Sequence, residues 1–322
     1  MRVRALPRAA LALASLGFLA ACTATRGPIQ LAPERALFWE ARDRERGSTL
    51  YLLGSVHVGD GRPLELDAVL ANAFARSEEL VVEVDLAEIT PERVMGFVGR
   101  HGTLAPAEDL SQRIGPETLA LLRDFIAEHD LAAAQVERLE PWAISLLVIE
   151  NSLRDAGYQG AYGVDQWFLT RASESGKPIV GLESLEFQLE LLSGLASEHQ
   201  ERLLRESLLA SGSGGGGVER VESILDAWER GDADALERLA HGELAQDPSL
   251  APFYEATYFA RNESMHEALV RLMGDGRTRF CVVGSGHLVG ERGIPALLAK
   301  DGYRVTGPGF ARREARAPAW ER

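Results

Sequence analysis

The chain has 322 residues, 46% hydrophobic and 25% charged. That composition excludes a disordered, collagen-like or polytopic membrane protein and suits one large domain with its own core. A formal net charge of −14 supplies no basic face for phosphates and argues against nucleic acid as a partner. Two cysteines, Cys22 and Cys281, are too few for a disulfide framework.

Residues 1–21 read as a signal peptide. Arg2, Arg4 and Arg8 make a basic start, and the apolar stretch from Ala9 to Ala21 is too short to span a bilayer comfortably. It ends in Leu19-Ala20-Ala21-Cys22, which resembles the bacterial lipobox, so Cys22 is expected to be acylated and to become the first residue after cleavage. A polar stretch follows, and residue 23 is Thr rather than Asp. The expected location is therefore the outer membrane, facing the periplasm, with a lipid anchor that attaches without spanning. Residues 22–36 read as a linker. Cys281 sits in an apolar strand pattern and reads as a small buried hydrophobe.

Leu37–Glu40 and Thr49–Leu53 read as two strands joined by a charged turn. Leu64 to Ser77 has helical spacing, and Leu80–Asp85 is a third strand ending in acids. From Ile89 to Asn151 the pattern is helical, with breaks at Gly115-Pro116 and Glu140-Pro141. Another helix runs from Asp165 to Ser175, with Asp165 as a candidate N-cap. Ile179–Glu183 is a fourth strand that also ends in an acid. A long helical stretch from Leu185 to Met273 is broken by Ser211–Ser213 and the glycines 214–217, which read as a mobile surface loop. Phe280–Val283, a helix over Ile294–Lys300 and a strand near Tyr303–Val305 complete the pattern, and residues 311–322 form a loose tail. The expectation is an α/β fold. Its mixed sheet is built from N- and C-terminal segments related by a pseudo-repeat, and the middle is largely helical, about 89–160 and 185–275. Residues 37–310 form the single domain.

The two ends echo one another. Gly54-Ser55-Val56-His57 and Gly284-Ser285-Gly286-His287 each follow an apolar strand. Ligands of open α/β sheets gather beyond the carboxyl ends of strands, where glycine permits a sharp turn or close approach. Glu83 and Glu183 also stand at strand ends. If these strands are parallel neighbours, two imidazoles and at least one carboxylate converge, which suits either a divalent metal or an acid/base pair. The plainer alternative is that each His caps its strand and each Glu pairs with an arginine.

These segments, with Val81–Asp85, Tyr162–Leu169, Gly176–Ser184, Arg261-Asn262 and Val282–Gly293, resemble the TraB/GumN family. That family includes the Tiki metalloproteases and sits with the erythromycin-esterase and ChaN-like proteins. The resemblance spans about Leu37 to Val305. It implies an α/β core with a helical insertion and a metal-dependent, peptidase-like site. The family's two G-x-x-H motifs fall on His57 and His287, and its glutamate on Glu83.

Other motifs carry less. His266-Glu267 lacks the second histidine of H-E-x-x-H and reads as a solvated helix. No G-x-S-x-G elbow or P-loop is present. His101, His129, His199 and His241 read as surface residues. Arg261 and Asn262 follow an aromatic stretch containing Phe253, Tyr254, Tyr258 and Phe259, and are candidates for binding substrate. The leading expectation is a membrane-anchored, metal-dependent hydrolase of peptide or amide bonds. His57, His287 and Glu83 are metal ligands, with His57 and Glu83 catalytic and Glu83 alternatively the base; Mn, Co or Zn would serve. The alternatives are a metal-free esterase-like hydrolase using a His/Glu pair, and a non-catalytic lipoprotein that binds haem or a peptide.

Overall fold

The computed structural model describes residues 27–85, 89–212, 216–308 and 310. The signal segment 1–21, the lipidation site Cys22 and the tail 311–322 lie outside them, as do residues 213–215 of the glycine-rich run.

Eight strands occur among the described residues: β1 (Ile29–Leu31), β2 (Phe38–Arg42), β3 (Thr49–Ser55), β4 (Leu64–Leu66), β5 (Glu79–Val82), β6 (Ile179–Gly181), β7 (Thr278–Gly284) and β8 (Arg304–Thr306). Six form one mixed sheet in the order β6-β5-β7-β3-β2-β8. The four strands β6, β5, β7 and β3 are parallel, and β2 runs antiparallel to both its neighbours. Nearly every residue of β7 is buried, as expected of a central parallel strand covered on both faces. Phe280 in its middle stacks on Phe168 at 5.1 Å and meets Phe74 edge-on at 5.5 Å, tying two helices, Val164–Glu174 and Ala68–Arg76, to the sheet. The fold is mixed α/β with a helical middle.

The segment before β2 is not wholly linker. Ile29–Leu31 pairs in parallel with Leu64–Leu66, and Leu31 is fully buried. The same pairing shortens the helix expected from Leu64. It begins at Ala68, where the Asp67 carboxylate accepts the Leu70 N–H at 2.9 Å. Three-residue strands are too short for alternation to reveal them.

Helices Pro116–Glu128, Pro141–Asp155 and Ser197–Ser211 share a second apolar core around Leu122, Ile144 and Leu204. A third, smaller cluster contains Val84, Phe97, Trp142, Leu185 and Leu189. Val84 and Leu185 follow Glu83 and Glu183 closely in sequence, so this cluster anchors the backbone on which both acids stand. Among the described residues no helix is long and apolar enough to cross a membrane.

Candidate functional site

The carboxyl ends of the four parallel strands lie along one edge of the sheet. Register sets Ser55 beside Gly284 and Val82 beside both Val282 and Gly181. The residues that follow each strand therefore share one crevice: His57 after β3, Glu83 after β5, Glu183 after β6 and His287 after β7. The pairing of β5 with β6 runs on past the strands, where the Glu183 N–H donates to the Glu83 carbonyl at 2.7 Å.

Gly284 lies at the centre. A Cβ on this residue would stand 2.9 Å from Glu83 Oε1, 3.2 Å from His57 Nε2 and 3.6 Å from His287 Cδ2. The three side chains thus border one small space, kept open because residue 284 carries no side chain. The Gly284 N–H itself donates to Glu83 Oε1 at 2.5 Å.

Both imidazoles are held through Nδ1. His287 is buried, and its Nδ1 lies 2.6 Å from Asn262 Oδ1. The Asn262 amide nitrogen donates to the Arg292 carbonyl at 2.8 Å, which orients the amide with its oxygen toward the ring. His287 Nδ1 therefore donates, and Nε2 is left with a lone pair 3.8 Å from Glu83 Oε1. Burial pushes the His287 pKa down to about 4, despite the opposing charge of Glu83, and keeps the ring neutral. His57 is exposed at the crevice mouth, and its Nδ1 lies 2.9 Å from Asp165 Oδ2. Desolvation of the ring opposes its protonation, but the Asp165 carboxylate outweighs it and raises the His57 pKa to about 9.

Asp165 is not the N-cap of its helix. Gly163 holds that position, and the carboxylate reaches out to accept from both His57 and the Ser55 hydroxyl. The two motif serines work differently. Ser55 braces Asp165, whereas the Ser285 hydroxyl donates to the Ser55 carbonyl at 2.7 Å and joins the two turns. The shared G-S-x-H spelling thus covers two local structures, a strand that ends at Ser55 and bends at His57, and a single tight helical turn over Ser285–His287.

Arg261 organises the acids. Its Nη2 donates to Glu83 Oε2 at 2.9 Å and to Glu183 Oε2 at 2.7 Å, its Nε donates to Glu183, and its Nη1 donates to the Thr257 carbonyl. Gln188, on the helix Leu185–Ser193, bridges the same two carboxylates, at 3.0 Å to Glu183 and 3.4 Å to Glu83. Burial works to raise the Glu83 pKa, but the positive charges of His57 and Arg261 and the Gly284 N–H hold it well below the usual carboxylate value. Asn262 has no exposed surface, so it serves His287 and not a substrate directly.

Sequence reasoning missed the partnership of Asp165 with His57 and the bridging Gln188. An acid directly after Gly163-Val164 was the one local cue for Asp165. His241 and His266, expected on the surface, are half-buried. His241 packs against Tyr258 with centroids 5.0 Å apart, and His266 Nε2 lies 3.0 Å from Asp301. His129 also leaves solvent, stacking on Phe125.

The donor types suit a divalent ion. Each imidazole is fixed at Nδ1 by an outer partner and offers Nε2 inward, the usual arrangement of metal-ligating histidines, and a carboxylate oxygen stands beside them. Among the described residues no group of three or more His, Cys, Asp or Glu is gathered tightly enough to hold an ion as it stands.

The family model described as TraB/PrgY/gumN family matches residues 37–307. The chain is also similar to the uncharacterized protein YbaP of Escherichia coli (strain K12), at 24% identity over 259 residues, covering 77% of this chain and 87% of that protein. YbaP of Shigella flexneri is similar to the same extent. No solved structure matches.

Proposed function

The chain belongs to the TraB/PrgY/gumN family, and from that membership we propose that it is a hydrolase of peptide or amide bonds that works with a divalent metal ion. The observation that carries this reading is the common aim of His57 and His287. Both are held at Nδ1 and border the space above Gly284, with Glu83 Oε1 beside them.

On this reading His57 and His287 hold the ion, and Glu83 is either the third ligand or the base that takes a proton from water. When bound, Mn²⁺, Co²⁺ or Zn²⁺ supplies Lewis acidity toward water and the scissile carbonyl. Asp165 and Asn262 hold the Nδ1 protons of the two rings and so keep each Nε2 directed into the crevice. Arg261, clamped by Glu183, fixes the Glu83 carboxylate in place. In net terms the water oxygen bonds to the carbonyl carbon, the C–N bond breaks and the amine leaves with the proton. The proposal extends to location: with Cys22 acylated, the chain is anchored at the outer membrane and faces peptide or small-molecule substrates in the periplasm.

A second, metal-free reading is favoured by two contacts. Arg261 already places a fixed positive charge on Glu83, and His57 with Asp165 makes a proton-handling pair of the kind general-base hydrolases use. Calorimetric titration of Mn²⁺, Co²⁺ and Zn²⁺, paired with turnover of internally quenched fluorogenic peptides before and after chelation, separates the two. The metal reading expects binding and turnover to vanish together in His57→Ala and His287→Ala. Glu83→Gln keeps the ion and loses about 10²–10⁴ in turnover if Glu83 is the base, and loses the ion if it is a ligand. Turnover that survives exhaustive chelation yet needs His57 transfers the function to the metal-free mechanism. Peptide or haem binding without turnover would leave a binding protein.

A further inference from the structure

The helix Ala260–Met273, which carries Arg261 and Asn262, is entered through a π-turn over Glu255–Phe259. Such widened turns are uncommon and gather at functional sites. Tyr258 lies within it, four residues before Asn262, so the two share a helix face. Both meet His287. Asn262 takes the Nδ1 side of the ring, and the Tyr258 ring lies against it with centroids 5.4 Å apart and planes inclined by 41°.

The edge of the phenol ring is pressed to the turn that bears His287. A Cβ on Gly286 would come within 2.8 Å of Tyr258 Cε1. This contact explains why the second motif has glycine where the first has Val56. The Tyr258 hydroxyl makes no hydrogen bond among the described residues and is not one of the buried polar atoms left without a partner, so it is open to solvent and free to meet a ligand. Arg261, the strongest donor nearby, is spent on Glu83, Glu183 and the Thr257 carbonyl.

We propose that Tyr258 is a further catalytic residue, whose hydroxyl donates a hydrogen bond to the oxygen of the substrate carbonyl as negative charge gathers there. The proposal rests on the hydrolase reading above. A donor set in place before reaction acts most strongly where water is excluded, and the loss of one such donor typically costs about 10²–10³ in kcat.

The test is Tyr258→Phe in the full chain, which keeps the ring against His287 and Gly286 and removes the hydroxyl alone. Wild type, Tyr258→Phe and His287→Ala are compared on a pool of internally quenched fluorogenic peptides with Mn²⁺ present. Mn²⁺ affinity and thermal melting are measured on each protein. The expected result is a kcat lowered by about 10²–10³, with KM, Mn²⁺ affinity and melting temperature retained. Tyr258→Met, which also removes the ring, should lose no less turnover. An active wild type with unimpaired kcat in Tyr258→Phe would overturn the role of Tyr258 alone. So would a loss accompanied by equal losses of Mn²⁺ affinity or melting temperature. A wild type silent on every peptide, with and without metal, would overturn the hydrolase reading and the role of Tyr258 with it.

Discussion

His57 Nδ1 and Asp165 Oδ2 stand 2.9 Å apart, although the two residues are 108 positions apart in the chain. The contact brings the first turn of a helix to the end of β3. It also fixes which ring nitrogen of His57 faces the crevice. The Ser55 hydroxyl holds the other Asp165 oxygen, so the carboxylate is oriented from two sides. Asp165→Asn keeps the shape and removes the charge. Its expected effect is a His57 pKa lowered toward the ordinary imidazole value and metal affinity or turnover reduced by about 10–100-fold. An NMR titration of the His57 ring beside a metal titration checks both; unchanged values in each would mean that the pair is only structural.

Gly284→Ala tests the space itself. Gly284 has φ −51°, which alanine adopts without strain. The new methyl would meet Glu83 Oε1 at 2.9 Å and His57 Nε2 at 3.2 Å. The variant is expected to keep its far-UV circular dichroism and to lose both ion binding and turnover. A variant that still binds an ion at wild-type affinity would place the ion elsewhere.

The strands that carry the site are legible in sequence because each is an apolar run closed by a glycine or an acid. Thr278–Gly284 and Glu79–Val82 announce themselves by composition alone. What lies between them does not. Which acid stands beside which imidazole depends on the order β6-β5-β7-β3, a set of non-local pairings that no local pattern encodes. Asp165 looked like a helix cap because an acid near a helix start usually is one; only the approach of β3 turns its carboxylate outward. Arg261 and Asn262 are neighbours in sequence, yet they diverge, one to the acids and the other to His287. Their directions follow from the phase of a helix that a π-turn has shifted, and periodicity reading assumes no such shift.

The two site histidines bend the pH–stability curve of the metal-free protein in opposite directions. The folded pKa of His287 is lowered to about 4, so between pH 4 and 6.5 the unfolded chain binds the extra proton and stability rises with pH. The folded pKa of His57 is raised to about 9. Its contribution is therefore fully present below about 6.5, the ordinary imidazole value, and is lost as pH rises to 9. Denaturant melts in chelator, taken at half-unit steps, should show a rise and then a fall around pH 6.5. In Asp165→Asn the descending limb should flatten while the ascending limb remains. A descending limb that persists in that variant would assign it to another group.

Cys22 lies outside the described residues, and its role is tested in the cell. Cys22→Ser should prevent acylation and move the protein out of the membrane fraction. Mass spectrometry of the mature N-terminus decides the matter: an unmodified Cys22 on the wild-type protein would remove the lipid anchor from the proposal.

Arg261 separates stability from chemistry. Its guanidinium is the shared counter-charge of Glu83 and Glu183, and all three side chains are at most 13% exposed. Removing one member of a buried ionic set leaves the others desolvated and unpaired, which typically costs about 3–5 kcal/mol. Arg261→Gln is therefore expected to destabilise the protein by that amount in a urea melt. The double variant Arg261→Gln/Glu183→Gln should recover part of the loss, because it removes one of the two stranded carboxylates while glutamine retains hydrogen-bonding capacity. Turnover should stay low in the double variant, since Glu83 has still lost the donor that fixes it. If the double variant recovered turnover along with stability, Arg261 would serve only to neutralise Glu183, and its contact with Glu83 would be incidental to the reaction.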